Sequence, residues 1–500
     1  ETTLFLKKFF TLHYLFLYHL TIRCVLVLHN TMFKVLLLVS IVGLCDGGLF
    51  GDLFPAVASA GRDIINTIID NPIVETGTKI TGDLIAASAG VTSYLPTVLA
   101  RTFGSGPGLP TLISDQNIVD YANDIAIAFR NGQQNEDCRL TIEELVSKYG
   151  YRIERHHVVT EDGYILTVFR IPGGGPVTFL MHGLLSSADD FVLNGVDSGL
   201  AYLLAADGHD VWLGNARGNK HSRKHIHLHP SNGEFWDFSW HEIGCYDLPA
   251  MIDYVLDTTK KENLVYIGHS QGTTSFFVMA SERPEYNRNI SLMVALSPVA
   301  FMSRAKSPIV RLFAPVGPLV HVVSKLFGLY EFLPDNAITK NLKQLLCGTG
   351  PVAEFLCSNM IMLTAGFSFS QLNVTNLPVI YSHAPAGASV KQFAHYGQSI
   401  VSGDFRHFDY GASQNIARYG SQTPPSYELS NIVAPVALFY SADDWLAHPY
   451  DVNTLRENLP NVVYSAEVPY EPFNHVDFLW AKDFKILIYE RLRQLIKTAT

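Results

Sequence analysis

Residues 265–272 read Val265-Tyr-Ile-Gly-His-Ser-Gln-Gly272 and decide the fold. The β-branched and aromatic residues before Gly268 predict a buried strand, and residues 273–280 predict a helix. A Gly-x-Ser-x-Gly motif between a strand and a helix is typical of a nucleophile elbow. Side chains at Gly268 or Gly272 would collide with the neighbouring strand or helix in so tight a turn. Ser270 is therefore exposed at its tip, at the positive end of the helix.

The segments around this turn alternate between strand-like and helix-like patterns. Strands are predicted at residues 164–170, 177–181, 211–213, 264–267, 292–296, 433–440 and 462–468, and the chain ends in an amphipathic helix over 483–497. This alternation predicts an α/β protein with a mostly parallel central sheet and helices on both faces, the α/β-hydrolase fold. The run Gly173-Gly-Gly-Pro176 lacks the following Gly-Lys-Ser/Thr of a phosphate loop and is interpreted as a hairpin turn.

The strand pattern is interrupted between residues 299 and 430, where the sequence is apolar, Pro-studded and mainly helical. We therefore predict a hydrolase core in two parts, 137–298 and 431–500, with 299–430 as a mainly helical insertion. This insertion is a candidate cap or lid over the site. The alternative is a purely structural helical subdomain.

A serine hydroxyl needs a base to take its proton and an acid to orient that base. In this fold they follow the serine in the order acid, then histidine. Asp443 and Asp444 follow the strand at 433–440, and Asp444 is the preferred acid, with Asp443 as the alternative. His475 follows the next strand and is the predicted base. Ser270, Asp444 and His475 thus form the predicted catalytic triad.

Ester cleavage also requires donors for the oxyanion, usually backbone N–H groups. The residue after the nucleophile, Gln271, supplies one by position. The second is predicted at Leu184, because the strand at 177–181 runs into His182 and Gly183, and a glycine lets the backbone turn its amide toward the site. The alternative is an ordinary glycine turn at the end of a strand.

The amino-terminal residues indicate entry into the secretory route. Residues 1–31 hold no natural start and are interpreted as untranslated or non-native leader, with Met32 as the initiator. Residues 32–48 combine a cationic start, a short apolar run and small residues, the pattern of a signal peptide. The apolar run is too short for the alternative, a membrane anchor. Residues 49–136 form a variable extension, a possible pro-segment.

Cysteines and glycosylation motifs agree with an oxidising compartment. Four cysteines follow the signal peptide and permit three pairings; the close pair Cys347 and Cys357 is the preferred disulfide, and the pairing of Cys138 and Cys245 stays open. Asn-x-Ser/Thr motifs predict glycosylation at Asn289 and Asn373.

Charge and composition exclude other classes of function. A net charge of −10 without any basic stripe argues against nucleic-acid binding. Four histidines between residues 221 and 229 raise the question of a metal site, but no acidic or thiol ligand stands at fixed spacing, so a solvated loop is favoured. No metal and no cofactor is predicted, no membrane-spanning segment is predicted in the mature chain, and the oligomeric state stays open.

From about 137 to 497 the chain resembles the acid lipase family of gastric, lingual and lysosomal lipases. The resemblance rests on several motifs: Leu140-Thr-Ile-Glu-Glu-Leu145, Glu161-Asp-Gly-Tyr-Ile-Leu-Thr167, His182-Gly-Leu-Leu185, Gly214-Asn-Ala-Arg-Gly-Asn219, Phe235-Trp-Asp-Phe-Ser239, Gly268-His-Ser-Gln-Gly272 and Asn474-His-Val-Asp-Phe478. Two residues depart from the family pattern: Met181, where the family usually has Gln, and Cys245. Neither removes a catalytic group, although Met181 could change the pocket.

The resemblance implies hydrolysis of triacylglycerols or cholesteryl esters at a lipid–water interface, through an acyl-enzyme intermediate and beneath a helical cap. It also implies an extracellular or lysosomal destination. Two alternatives stay open: a carboxylesterase acting on soluble short-chain esters, and a non-catalytic lipid-binding relative.

Overall fold

A computed structural model describes residues 135–307, 310–311, 314, 324–325, 330–332, 364–366, 368 and 370–500. The interpreted leader at 1–31, the signal peptide at 32–48, most of the extension at 49–136, and Cys347 and Cys357 lie outside the described residues. Within these ranges, no helix has both the length and the apolar character needed to cross a bilayer.

In the described part of the chain, nine strands form one sheet. The strands, together with a separate two-residue pair, are β1 Glu154–Val159, β2 Tyr164–Ile171, β3 Val177–Met181, β4 Asp210–Leu213, β5 Lys224–His225, β6 Leu264–His269, β7 Ile290–Leu296, β8 Glu331–Phe332, β9 Ala388–Ser389, β10 Val436–Tyr440 and β11 Val462–Glu467. The sheet order is β1-β2-β4-β3-β6-β7-β10-β11, with β5 paired to β2, while β8 pairs with β9. All pairs from β4 to β11 along this order are parallel, and the pairs made by β2 are antiparallel.

Helices follow most of the parallel strands. They are α1 Ile142–Lys148, α2 Leu200–Ala206, α3 Trp240–Glu242, α4 Leu248–Thr259, α5 Gln271–Glu282, α6 Leu377–His383, α7 Val390–Ser402, α8 Ala412–Tyr419, α9 Pro449–Asn458, α10 Asp477–Trp480 and α11 Glu490–Ala499. A π-helical segment, Ile243–Asp247, joins α3 to α4, and another, Lys485–Tyr489, precedes α11. The helix starting at Ile142 begins with a capping box between Thr141 and Glu144, which satisfies two otherwise free backbone N–H groups.

The sheet is buried on both faces, which explains the near-continuous apolar runs of its parallel strands. Side chains of a strand alternate between faces, and in β6 Leu264 and Tyr266 join one core cluster, whereas Val265 and Ile267 join the other. Helices α4 and α5 cover the first face, and α1, α2 and α11 cover the second. This layered arrangement confirms the predicted mostly parallel sheet with helices on both faces.

The hairpin turn predicted at Gly173-Gly-Gly-Pro176 is wrong. Strands β2 and β3 are not neighbours, because β4 lies between them in the sheet. The glycines serve close packing of two backbones instead: a Cβ at Gly175 would lie 2.7 Å from the carbonyl oxygen of Gly208, and one at Gly173 would overlap the carbonyl of His209.

The parallel strands bring distant residues to one edge of the sheet. The carboxyl ends of parallel strands meet at the same edge, where ligand sites of open α/β sheets lie. His182 follows β3, Ser270 follows β6, Ser297 follows β7, and Asp444 and His475 stand in the loops after β10 and β11. The described part of the 299–430 segment, with α6, α7 and α8, contributes residues beside this edge. The domain boundaries themselves stay a prediction.

Candidate active site

The structure brings Ser270, His475 and Asp444 together in one hydrogen-bonded row. Ser270 Oγ lies 2.8 Å from His475 Nε2. On the other side of the ring, His475 Nδ1 lies 3.0 Å and 2.9 Å from the two carboxylate oxygens of Asp444. Asp444 is fully buried, whereas Ser270 is partly exposed. The hydroxyl can therefore meet a substrate while the carboxylate stays dry.

The backbone at Ser270 is strained, with φ 51° and ψ −118°. A left-handed φ in a non-glycine residue costs about 1–3 kcal/mol and persists only when the surroundings enforce it. The two glycines of the motif permit the necessary approach. A Cβ at Gly268 would lie 2.8 Å from the carbonyl carbon of Gly272, and a Cβ at Gly272 would overlap the carbonyl oxygen of Met181.

Of the two candidate acids, the structure places Asp444 and not Asp443 against the imidazole. Burial alone would raise the pKa of Asp444, but the charge of His475 and hydrogen bonds from His475, Ser297 and the Ala447 backbone lower it below the ordinary value. Asp443 is half-buried, and burial raises its pKa. Asp444 is thus the carboxyl group that stays ionised beside the ring.

Two buried residues that the sequence patterns missed also contact this row. Ser297 Oγ donates to Asp444 Oδ2 and lies 2.6 Å from His475 Nδ1. His269 Nε2 donates to the backbone carbonyl of His475 at 2.9 Å. Burial lowers the pKa of His269 to about 3, so its ring is neutral and adds no positive charge beside His475. The position of each residue, directly after a strand or inside the elbow, is the signal that could have found them.

Of the two residues predicted to bind the oxyanion, Gln271 directly follows Ser270 and Leu184 follows a glycine that lies close to it. Gln271 is the first residue of α5, and the first N–H groups of a helix have no partner within the helix. Leu184 follows Gly183, whose position is so close to Ser270 that an added Cβ would lie 3.0 Å from the serine Cβ. The oxyanion roles of Leu184 and Gln271 stay a proposal.

His182 holds the peptide that carries the Leu184 N–H. Its Nδ1 donates to the carbonyl oxygen of Gly183 at 2.8 Å, and its Nε2 accepts from the Ala216 N–H and from Asn219 Nδ2, both at 3.1 Å. Burial lowers the pKa of His182 to about 4, which keeps this tautomer neutral. Because a peptide unit is planar, fixing the Gly183 carbonyl also fixes the direction of the Leu184 N–H.

Residues of the Gly214–Asn219 motif form hydrogen bonds that hold the same loop. Asn215 Oδ1 accepts from the Ala188 N–H at 3.0 Å and from Asn219 Nδ2 at 2.9 Å. Leu185 has a left-handed φ of 62°, and its carbonyl accepts from the Ala386 N–H at 2.7 Å. The loop is therefore held by hydrogen bonds both from the core, through Asn215, and from the inserted segment, through Ala386.

Described residues of the inserted segment contact the row and its neighbours. Gln271 Nε2 donates to Gln392 Oε1 of α7 at 2.7 Å. The carbonyl of Ala365 accepts from the His475 N–H and from the Trp445 N–H, both at 3.2 Å. Asn474 Nδ2 donates to the carbonyl of Gly366 at 2.9 Å. The loops that carry Asp444 and His475 are thus held partly by the insertion.

The two departures from the family pattern lie in the core. Met181 is buried in the core between sheet and helices, and its sulfur would lie 3.1 Å from a Cβ at Gly214. Cys245 is buried 3.7 Å from His241 Nε2 and forms no disulfide with a described residue. Burial raises the pKa of this thiol, which disfavours the reactive thiolate.

The histidines between residues 221 and 229 bind separate partners. His221 Nε2 lies 2.7 Å from Asp189 Oδ1, and His225 Nδ1 accepts from the His227 N–H at 2.9 Å. Among the described residues, no group of three or more His, Cys, Asp or Glu side chains is arranged to hold a metal ion.

The two sequons are half-buried. Asn289 Nδ2 donates to the carbonyl of Glu262 at 3.0 Å, and Asn373 Oδ1 caps the 3₁₀ turn Val374–Asn376 by accepting from the Thr375 N–H at 3.2 Å. Both side-chain amides thus make local hydrogen bonds.

Comparisons with known proteins agree with this geometry. Residues 142–195 match a family model described as a partial α/β-hydrolase lipase region, and residues 176–315 match one for the α/β-hydrolase fold. The chain is 46% identical to Lipase 3 of Drosophila melanogaster over 365 residues, 71% of this chain and 91% of that protein. It is 39% identical to human lysosomal acid lipase/cholesteryl ester hydrolase and 38% identical to rat gastric triacylglycerol lipase, in each case over 372 residues, 72% of this chain and 92% of the relative.

Proposed function

The chain belongs to the acid lipase family of α/β-hydrolases, and from this premise we propose that Ser270, His475 and Asp444 are its catalytic triad. The protein is a lipase that hydrolyses carboxylic ester bonds of neutral lipids. The observation that carries the triad is the continuous row from Ser270 Oγ through both ring nitrogens of His475 to Asp444. Neither alternative, a non-catalytic relative or an esterase limited to soluble substrates, is favoured by a described contact.

In the first half of the reaction, Ser270 Oγ attacks the carbonyl carbon of the ester while its proton passes to His475 Nε2. Asp444 accepts from Nδ1–H, which holds the tautomer with a free Nε2 lone pair and stabilises the imidazolium that forms. The tetrahedral intermediate collapses when the C–O bond to the alcohol breaks and His475 returns the proton to the leaving oxygen. The products are the free alcohol and an acyl group on Ser270.

In the second half, water attacks the acyl carbonyl and gives its proton to His475. The second intermediate collapses, the proton returns to Ser270 Oγ, and the fatty acid leaves. In both intermediates the negative oxygen accepts from the N–H groups of Leu184 and Gln271. A single such donor lowers the barrier by about 3–4 kcal/mol. The direction of the Leu184 N–H therefore matters, and His182, Asn215 and Asn219 hold the loop that carries it.

The substrate class follows from the relatives and from the apolar character of the chain. The similar proteins carry the names gastric triacylglycerol lipase and lysosomal acid lipase/cholesteryl ester hydrolase, and we assign triacylglycerols or cholesteryl esters to this chain on that basis. The inserted segment contacts the site through hydrogen bonds of Gln392 and Ala365. We propose that this segment is the cap that covers the acyl chain.

The test is covalent labelling combined with turnover. An alkyl phosphonate probe should label the parent protein at Ser270, and Ser270→Ala should lose both labelling and hydrolysis of emulsified triolein and cholesteryl oleate. The matched control is Ser275→Ala in the same helix, because the buried Ser275 hydroxyl has no partner among the described residues. Persistent labelling in Ser270→Ala would refute the nucleophile, and activity on soluble esters alone would refute the lipid assignment.

A secretory destination, extracellular or lysosomal, is part of the same proposal. It is supported by the names of the relatives, by the signal-peptide pattern at 32–48, by the sequons at Asn289 and Asn373, and by the Cys347–Cys357 pair. Mass spectrometry of the protein purified from the medium of expressing cells should find a mature chain that begins after residue 48, a mass loss on deglycosylation, and a Cys347–Cys357 disulfide before reduction. Retention of residues 32–48 would contradict the signal peptide.

A further inference from the structure

Ser297 is a buried serine that the three-residue triad does not use. It directly follows β7, its side chain is fully buried, and its N–H donates to the carbonyl of Phe439 in β10 at 2.9 Å. Its φ of 53° is a conformation that favours glycine or asparagine. The backbone conformation alone therefore does not explain why a serine occupies this position.

The hydroxyl of Ser297 completes the hydrogen bonds of Asp444. The Oδ1 oxygen of Asp444 accepts from the N–H groups of Leu446 and Ala447, both at 2.8 Å. The Oδ2 oxygen accepts from Ser297 Oγ, and both oxygens face His475 Nδ1. Among the described residues, Ser297 is thus a side-chain donor that holds Oδ2, while the two backbone N–H groups hold Oδ1, and together they fix the rotation of the carboxylate opposite the imidazole.

We propose that Ser297 is a positioning residue of the triad, whose hydroxyl fixes Asp444 against His475 and weakens the pull of Asp444 on the imidazole proton. This inference rests on the proposed triad. A hydroxyl that donates to a carboxylate takes up part of its negative charge. His475 must be unprotonated to accept the proton of Ser270, so a weaker pull keeps more of the enzyme active as the pH falls.

Other titratable groups face the pair from the elements packed against it. These are His269 in the elbow, Asp477 in α10 and His448 beside α9, and His182 after β3 acts on His269. Burial lowers the pKa of His269 to about 3 and that of His182 to about 4, and it also lowers the pKa of His448. Burial raises the pKa of Asp477 to about 7. All four are unchanged in a variant of Ser297, so a difference between variant and parent reports on the hydroxyl.

The experiment is the pH dependence of kcat/KM on a soluble short-chain ester, for the parent, Ser297→Ala, Ser297→Gly and Ser281→Ala. In both Ser297 variants the acid limb of the profile should move to higher pH by about one unit, the size expected for one charge-assisted hydrogen bond. kcat should fall by about tenfold, as for a misaligned acid, and KM should not change because Ser297 is too deeply buried to touch a substrate. Ser281→Ala should match the parent, since the buried Ser281 hydroxyl has no partner within the described ranges.

The two Ser297 variants separate the hydroxyl from the backbone. Glycine relieves the positive φ and alanine does not, so Ser297→Gly also carries the test if Ser297→Ala fails to fold. An acid limb that superimposes on the parent profile in the folded variants, or a shift in Ala that is absent in Gly, would overturn the proposal. Phosphonate labelling distinguishes failure of the triad from failure of the Ser297 proposal. If Ser270→Ala loses labelling and turnover while the Ser297 variants show unshifted pH profiles, the triad is supported and only the role of Ser297 is refuted.

Discussion

Gly183→Ala should separate catalysis from folding, because the methyl group would point at the reacting serine. A Cβ at Gly183 would lie 3.0 Å from Ser270 Cβ, 3.2 Å from His269 Nδ1 and 3.5 Å from Ser270 Oγ. The backbone of Gly183 is not in the left-handed region, so alanine itself is tolerated. The first distance is roughly 0.5–1 Å short of the optimal carbon–carbon separation of about 3.5–4.0 Å. The elbow or the loop must therefore give way by a few tenths of an ångström.

The size of the effect follows from that shift. Overpacking by one methyl group costs about 1–3 kcal/mol of unfolding free energy, which leaves the protein folded. A displacement of about 1 Å at a reacting group can cost on the order of 100-fold in rate. For the smaller shift of a few tenths of an ångström, we expect kcat/KM of Gly183→Ala, and its rate of phosphonate labelling, to fall by about tenfold, measured beside its urea unfolding curve.

Two other glycines provide the comparison. Gly174→Ala should leave both activity and stability unchanged, because a Cβ there would meet nothing within 4 Å. Gly272→Ala should reduce stability first, since its Cβ would overlap the backbone oxygen of Met181, which cannot move aside like a side chain. If Gly183→Ala keeps the parental kcat/KM, the close approach of this loop to Ser270 is refuted. If activity falls only in proportion to the unfolded fraction, the substitution acts on folding and not on catalysis.

Three further outcomes are expected from the residues around the triad. Asp444→Asn should lower kcat on the order of 10⁴-fold, whereas Asp443→Asn should retain activity; equal losses in the two variants would contradict the assignment of the acid. His269→Phe keeps the buried ring, whose Nδ1 has no partner among the described residues, but removes the donor to the His475 carbonyl. Its kcat should fall by about tenfold, as for a misaligned base, with no change in KM, and parental kcat would exclude a positioning role. Burial raises the pKa of Asp477 to about 7, so the folded carboxyl is protonated at pH 5 while the unfolded one is ionised. Below about pH 4 the carboxyl is protonated in both states, and as the pH rises from about 4 to about 7 only the unfolded state ionises, so stability is lost across that window. Asp477→Asn should therefore nearly match the parent at about pH 4 and be more stable at about pH 8 in urea unfolding; a gain of equal size at both pH values would contradict the raised pKa.

The parts of the fold that local sequence could predict are those whose cause is local. Short apolar runs predict the parallel strands, and the glycines beside Ser270 predict the elbow, because steric exclusion acts between residues a few positions apart. The turn at Gly173-Gly-Gly-Pro176 was predicted wrongly for the opposite reason. Two strands joined by a glycine-rich turn are usually partners, but β4 enters the sheet between β2 and β3, and the sheet order depends on contacts with residues that come later in the chain.

The supporting side chains of the site could not be predicted because their partners are remote in sequence. Ser297 meets Asp444 only because β7 and β10 are neighbours in the sheet, with the whole insertion between them in the chain. A topological rule would still have pointed to it. In a parallel sheet, the first residues after each strand share one edge, and Ser297 stands directly after its predicted strand just as Ser270 stands after β6. Titratable or hydrogen-bonding residues at those positions are therefore the ones to examine, even when the motif around them is undistinguished.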